Sequence, residues 1–394
     1  MGNYLLIKQG NIHNAVDKEA FTGDILVEDG KIKKIASVLE GKIVNEAEII
    51  DATGMDVYPG FVDAHCHIGL DGHAVGFPGQ DFNELGDPVT PQLSAVDAIN
   101  PQDETFKMAR DGGVTCVATG PGSSNIIGGT FCAMKTYGKR VDDMLVKEKI
   151  AMKIAFGENP KNCYKDKGVY SRMSVAAKLR EELTKAKIYE KKLEAAGYPD
   201  NIDYSKLPAY DAKMQALLPV IRKEMPLKAH AHRADDIYTA IRIAKEFDLD
   251  LRIDHVTDGA LIADDLAKEG YPLAVGPSFG HATKYELKNK GFHTPAVLAK
   301  AGCQVSIITD SPVIEERYLA LCAGRAIFQG LDEFTALQAI TINAAKHAGI
   351  EDRVGSIEEG KDADFVILRG NPFAVDTRIE YTIIDGKTVY RPEN

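Results

Sequence analysis

Four histidines and one aspartate in this 394-residue chain stand where a metal ion would use them. His65-Cys66-His67 closes an apolar run, and alternation along a strand sends both imidazoles to the same side. His230 and His255 each end a later apolar run, and Asp310 ends another in Ile307-Ile308-Thr309-Asp310. Neutral imidazole and carboxylate are the donors that Zn, Fe or Mn take, and a bound ion brings its water toward the pKa of a neutral-pH nucleophile. Ten histidines are present in all, so placing four of them at strand ends with an acid points to a divalent-metal centre. Other polar residues follow the same ends. His232 and Arg233 come directly after His230 and are candidates for substrate contact, the guanidinium fork suiting a carboxylate. His281, after the run ending at Val275, is a third candidate, and Tyr137 and His73 are further ones.

These positions require a scaffold that gathers strand ends. Between about 59 and 347, eight apolar runs begin near Phe61, Val114, Phe131, Ala151, Leu227, Leu251, Leu273 and Val305. They alternate with helix-period segments, the pattern of parallel βα units. Eight such units predict an α/β chain folded as a TIM barrel, with its site at the C-terminal ends of the strands. The stretch 171–224 is too long for one crossover and reads as a helical insertion overhanging the site. Gly120 to Gly129 is glycine-rich but lacks a Gly-Lys-Ser/Thr ending, so it is expected to shape the pocket rather than cradle a nucleotide. Both chain ends read as β structure. Asp29-Gly30 and Asp385-Gly386 each sit between alternating strands, a strong hairpin signal, and predict a small β domain assembled from the two termini.

Composition narrows the partners. The chain has 58 acidic against 47 basic residues, a net charge of -11, which argues against nucleic acid. No apolar run reaches the roughly 18 residues of a membrane span, and the first residues suit neither a secretory signal nor a myristoylation site. Six cysteines without a Cys-x-x-Cys pair predict a reducing, cytoplasmic location.

The ordered motifs Pro59-Gly60-Phe61-Val62-Asp63-Ala64-His65-Cys66-His67, His230, His255, Asp310, the segment from Thr341 to Gly349, and the run from Val354 to Asp364 resemble the amidohydrolase superfamily. Within it the chain is most similar to imidazolonepropionase-like and prolidase-like members. The resemblance implies a distorted TIM barrel over 59–357, with a composite β-sandwich from 1–58 and 358–394. It implies that His65, His67 and Asp310 bind one ion and that His230 and His255 bind a second or help hold a single one. Binuclear relatives bridge their ions with a carbamylated lysine or a glutamate, for which Lys153 and Glu158 are the candidates. The expected cofactor is therefore one or two divalent ions per chain, Zn first, with Fe or Mn as alternatives. The expected activity is hydrolysis of a C–N bond in a small amide, cyclic amide or dipeptide. Metal-activated hydroxide would attack, Asp310 would act as general acid and base, and His255 would assist at the developing oxyanion. Deamination of an amino-heterocycle is the alternative. A small-molecule substrate and a homo-oligomer are the partners this reading implies.

Overall fold

The computed structural model describes residues 4–41 and 46–392. Two eight-stranded sheets dominate it. The first joins β1 (Tyr4–Ile12), β2 (Phe21–Glu28), β3 (Lys31–Ala36), β4 (Glu48–Asp51) and β5 (Asp56–Pro59) to three strands from the other end of the chain. The second, β6 to β13, forms the barrel. Each sheet follows from its apolar pattern. Leu5, Ile7, Ile25, Val27, Val57, Phe365, Ile367 and Ile383 alternate along their strands and bury one face in a core belonging to the terminal domain.

The barrel strands are β6 (Phe61–Cys66), β7 (Val114–Thr119), β8 (Ile127–Lys135), β9 (Leu145–Ala155), β10 (Leu227–Ala231), β11 (Leu251–His255), β12 (Leu273–Val275) and β13 (Val305–Ile307). All eight predicted runs are strands, but they are not all parallel. β8 runs antiparallel to both β7 and β9. Parallel neighbours need a crossover of a dozen or more residues, and the connections 120–126 and 136–144 are too short for one. Strands β9 to β13 are parallel throughout. The seam between β13 and β6 closes through Asp310 N–H to His65 O at 3.2 Å and His67 N–H to Ser311 O at 2.8 Å. Asp63 reinforces it, accepting from His65 N–H at 2.9 Å and from the Thr309 backbone and hydroxyl at 2.9 and 2.6 Å.

The last three strands, β14 (Phe365–Arg369), β15 (Arg378–Ile384) and β16 (Lys387–Tyr390), complete the terminal sheet. Both expected hairpins are present. Asp29 and Gly30 have φ of 48° and 80°, and Asp385 and Gly386 have 48° and 71°, left-handed pairs that suit a two-residue turn. Where the domains meet, Lys135 Nζ lies 2.6 Å from Asp364, 3.0 Å from Asp362 and 3.3 Å from Asp385. The Asp362 and Asp364 motif thus ties the barrel to the terminal sheet.

The insertion does not hang over the mouth. Its long helix, Arg172–Ala195, is capped by Ser171 and packs against the helix Ala212–Ile221. Val175, Leu179 and Leu183 share a core with Ile237, Ile241, Met214 and Leu217, so the pair forms part of the barrel's outer helical layer. No helix among the described residues is long and apolar enough to cross a membrane.

Candidate metal centre

Two groups of side chains converge at the C-terminal ends of the barrel strands: His65, His67 and Asp310, and His230, His232 and His255. Within each group the potential donor atoms lie within 4.8 Å of one another. Asp310 Oδ1 stands 3.3 Å from the Nε2 atoms of both His65 and His67. The backbone is bent to achieve this. His255, Val256 and Asp310 have φ of 74°, 49° and 55°, a region that non-glycine residues seldom occupy and that Val, being β-branched, occupies at a cost.

Hydrogen bonds fix which nitrogen each ring offers. His67 Nδ1–H donates to Gly120 O and His255 Nδ1–H donates to Gly276 O, both at 2.8 Å. A carbonyl only accepts, so both rings carry their proton on Nδ1 and present a bare Nε2 to the site. His232 Nδ1 meets Thr257 Oγ1 at 2.7 Å, which turns its Nε2 inward as well. Gly120 has no room for a side chain, since a Cβ there would stand 2.3 Å from the Phe131 ring. That ring stacks on His65 with centroids 5.1 Å apart. The glycine-rich loop therefore shapes the wall of the site.

Electrostatics keep these groups ready for a cation. Burial, with Lys153 adding to it, pulls His65 down to about 3. Burial also holds His230 and His232 well below the usual imidazole range and lowers His255. Burial alone would raise Asp310, but the imidazoles of His255, His65 and His67 outweigh it and keep the carboxyl well below its ordinary range. Lys153, fully buried on β9, has its Nζ 3.4 Å from His65 Nε2 and is pushed down to about 8 by burial. Whether the donors fit a metal turns on what is left unpaired. Both ring nitrogens of His230 and Nε2 of His255 are buried without a hydrogen-bond partner. Buried polar atoms are rarely orphaned, and orphaned imidazole nitrogens beside a carboxylate suit a divalent ion.

The amidohydrolase family model matches residues 57–389, most of the chain. The chain belongs to the amidohydrolase family. A crystal structure of an amidohydrolase from Thermotoga maritima MSB8 superposes with a TM-score of 0.93 at 41% identity, covering 98% of this chain and 100% of that one. Amidohydrolase tasK of Hapsidospora irregularis is 27% identical over 92% of this chain and 39% of its own length. An adenine deaminase of Lactobacillus delbrueckii subsp. bulgaricus is 24% identical over 92% of this chain and 56% of its own length. This chain thus spans about two-fifths to just over half of the length of these two curated relatives.

Several other predicted residues of this chain have partners or exposure of their own. Arg233 closes its fork on Asp235 at 2.9 and 2.7 Å. His281 and His73 are exposed, and Tyr137 is half-exposed beside Arg110. Glu158 begins the short helix Glu158–Cys163, and its Oε1 accepts from Glu286 N–H at 3.0 Å. Sequence reasoning missed a buried tier beneath the site. Asp254 Oδ2 lies 3.1 Å from His65 Nδ1, while its Oδ1 takes Lys228 Nζ at 2.7 Å and His347 Nε2 at 3.1 Å. Lys228 also donates to Ala64 O at 2.9 Å. A carboxylate behind a ligating imidazole fixes its orientation and raises its basicity. Parity shows only that Lys228 and His230, two apart on one strand, face the same way; it does not bring Asp254 to them.

Proposed function

We propose that the protein is a metal-dependent hydrolase of carbon–nitrogen bonds in a small amide, cyclic amide or dipeptide. The observation that carries this reading is the convergence of His65, His67 and Asp310, and of His230, His232 and His255, at the ends of the barrel strands, with Lys153 Nζ 3.4 Å from His65. His65, His67 and Asp310 would hold one divalent ion. His230 and His255, with His232 beside them, would hold a second, and Lys153, whose neutral amine burial favours, would link the two once it has added carbon dioxide, with loss of a proton, to become a carbamate. Zn is the ion this reading expects first, and the six free cysteines fit a reducing cytoplasm. When bound, the ions supply a Lewis acid and hydroxide at neutral pH.

The chain's own residues do the rest. Asp310, held as a carboxylate, accepts the proton from the attacking water on Oδ and returns it to the departing nitrogen. His255 and His230 would act on the carbonyl oxygen as it gains charge through the cation they hold rather than by donating to it. Asp254 keeps His65 oriented. Buried Phe131 and partly buried Phe82 pack against the rings of His65 and His67, and the apolar wall they form strengthens the charge interactions inside.

Metal content per chain decides the first point, measured after reconstitution with Zn, Mn or Fe. Turnover of a panel of small amides, cyclic amides and dipeptides decides the second. Activity that chelation removes and metal restores supports the reading, and a chain that takes up no metal overturns it. The likeness to adenine deaminase keeps deamination of an amino-heterocycle as the second reading, recognised by release of ammonia from a substrate that contains no amide.

A further inference from the structure

The loop after β12 brings in a carboxylate that the reaction above does not use. Glu286, in the short turn Tyr285–Leu287, is 1% exposed. Its Oε2 accepts from Glu158 N–H at 2.9 Å, the other half of the reciprocal bracket with Glu158. The fold reserves space for it. Gly157 has φ of 87°, and a Cβ there would stand 2.4 Å from Glu286 Oε2. Oε1 turns the other way, 3.9 Å from the Nε2 atoms of both His230 and His232. Its close neighbour is the ammonium of Lys284, 2.5 Å away on a side chain that reaches solvent.

The three imidazoles have donor atoms within 4.8 Å of one another, and Glu286 Oε1 stands 3.9 Å from two of them. A dication surrounded by neutral imidazoles lacks charge compensation, and one carboxylate supplies it. We propose that Glu286 is a ligand of the ion held by His230, His232 and His255. The inference rests on the two-ion reading of the preceding section and assigns His232 and Glu286 to the second ion. Three histidines and a glutamate, with the Lys153 link, would leave that ion little room for water, so the reactive water falls to the His65, His67 and Asp310 side. Lys284, partly solvated, can give up its carboxylate partner to water.

A double-mutant cycle separates ligation from simple charge. Zinc is titrated against a competing chelator into the full-length wild type and into Glu286→Gln, Lys284→Gln and the double variant. Gln preserves the contact with Glu158 N–H. If Glu286 is a ligand, both variants that lack it lose at least about tenfold in affinity for one of the two ions, and the other ion is unaffected. If Glu286 serves only to neutralise Lys284, the double variant binds both ions within about threefold of wild type, and the proposal falls. Should Glu286→Gln fail to fold with an uncompensated ammonium, the double variant carries the decision alone. A wild type that binds two ions, with affinities unchanged in both Glu286 variants, overturns this assignment alone. A wild type that binds no zinc overturns it together with the two-ion reading.

Discussion

Buried charge clusters occupy both ends of the barrel, and they are built on opposite principles. Where the strands begin, Lys135 is surrounded by Asp362, Asp364 and Asp385, Asp362 also takes Arg353 at 2.8 Å and Lys31, and Asp364 Oδ1 accepts from Asp385 N–H at 3.0 Å. These groups pair with one another. Where the strands end, His230 and His255 keep buried nitrogens without hydrogen-bond partners, and three residues hold positive φ angles. Self-sufficiency marks the first cluster as a joint between domains. Incompleteness suits the second to the role of candidate metal centre.

Asp310→Asn should break the second cluster's chemistry most deeply. Steady-state assays should show kcat lowered about 10²–10⁴-fold with the fold intact, and retained turnover would remove Asp310 from its role as acid and base. Lys135→Met should strike only the joint. It leaves buried carboxylates without their cation, and denaturant unfolding should show a loss of about 3–5 kcal/mol while metal uptake persists. Asp254→Asn sharpens the contrast, since it touches no ion yet orients His65. Competitive titration should show metal affinity reduced about 10–100-fold, and an unchanged affinity would make the tier beneath the site purely structural.

Acid should expose the same difference on a smaller scale. Burial favours the neutral form of Asp362, but Lys135, Lys31 and Arg353 outweigh it and leave its pKa below that of the unfolded chain. A carboxylate depressed in this way contributes stability that is full above the unfolded pKa, about 4, and is lost as pH falls through the folded value. The unfolding midpoint should therefore drop below about pH 4, and the drop should flatten in Lys135→Met. An equally steep drop in that variant would assign the acid sensitivity to other groups.

Legibility in the sequence followed the same divide. His65, His67, His230, His255 and Asp310 were readable because each ends an apolar strand, and a barrel gathers such ends whatever its loops do. The terminal hairpins were readable from Asp-Gly pairs, whose turn geometry is local. The reversal of β8 was written only in the shortness of its two connections. Glu286 left no signal, because its approach depends on how the loop after β12 folds back onto Gly157. Asp254 and Lys228 were hidden as ordinary strand residues, since nothing in local sequence says that a lysine and an aspartate on neighbouring strands will meet beneath a histidine. The helical insertion was found but misplaced, its apolar face being what binds it to the barrel flank.

Anomalous diffraction at the zinc edge, from crystals grown with the ion, tests the central claim that the incomplete cluster is a two-ion site. The account predicts two peaks, one bonded to His65, His67 and Asp310 and one to His230, His232 and His255. A map without a peak at either group would contradict it.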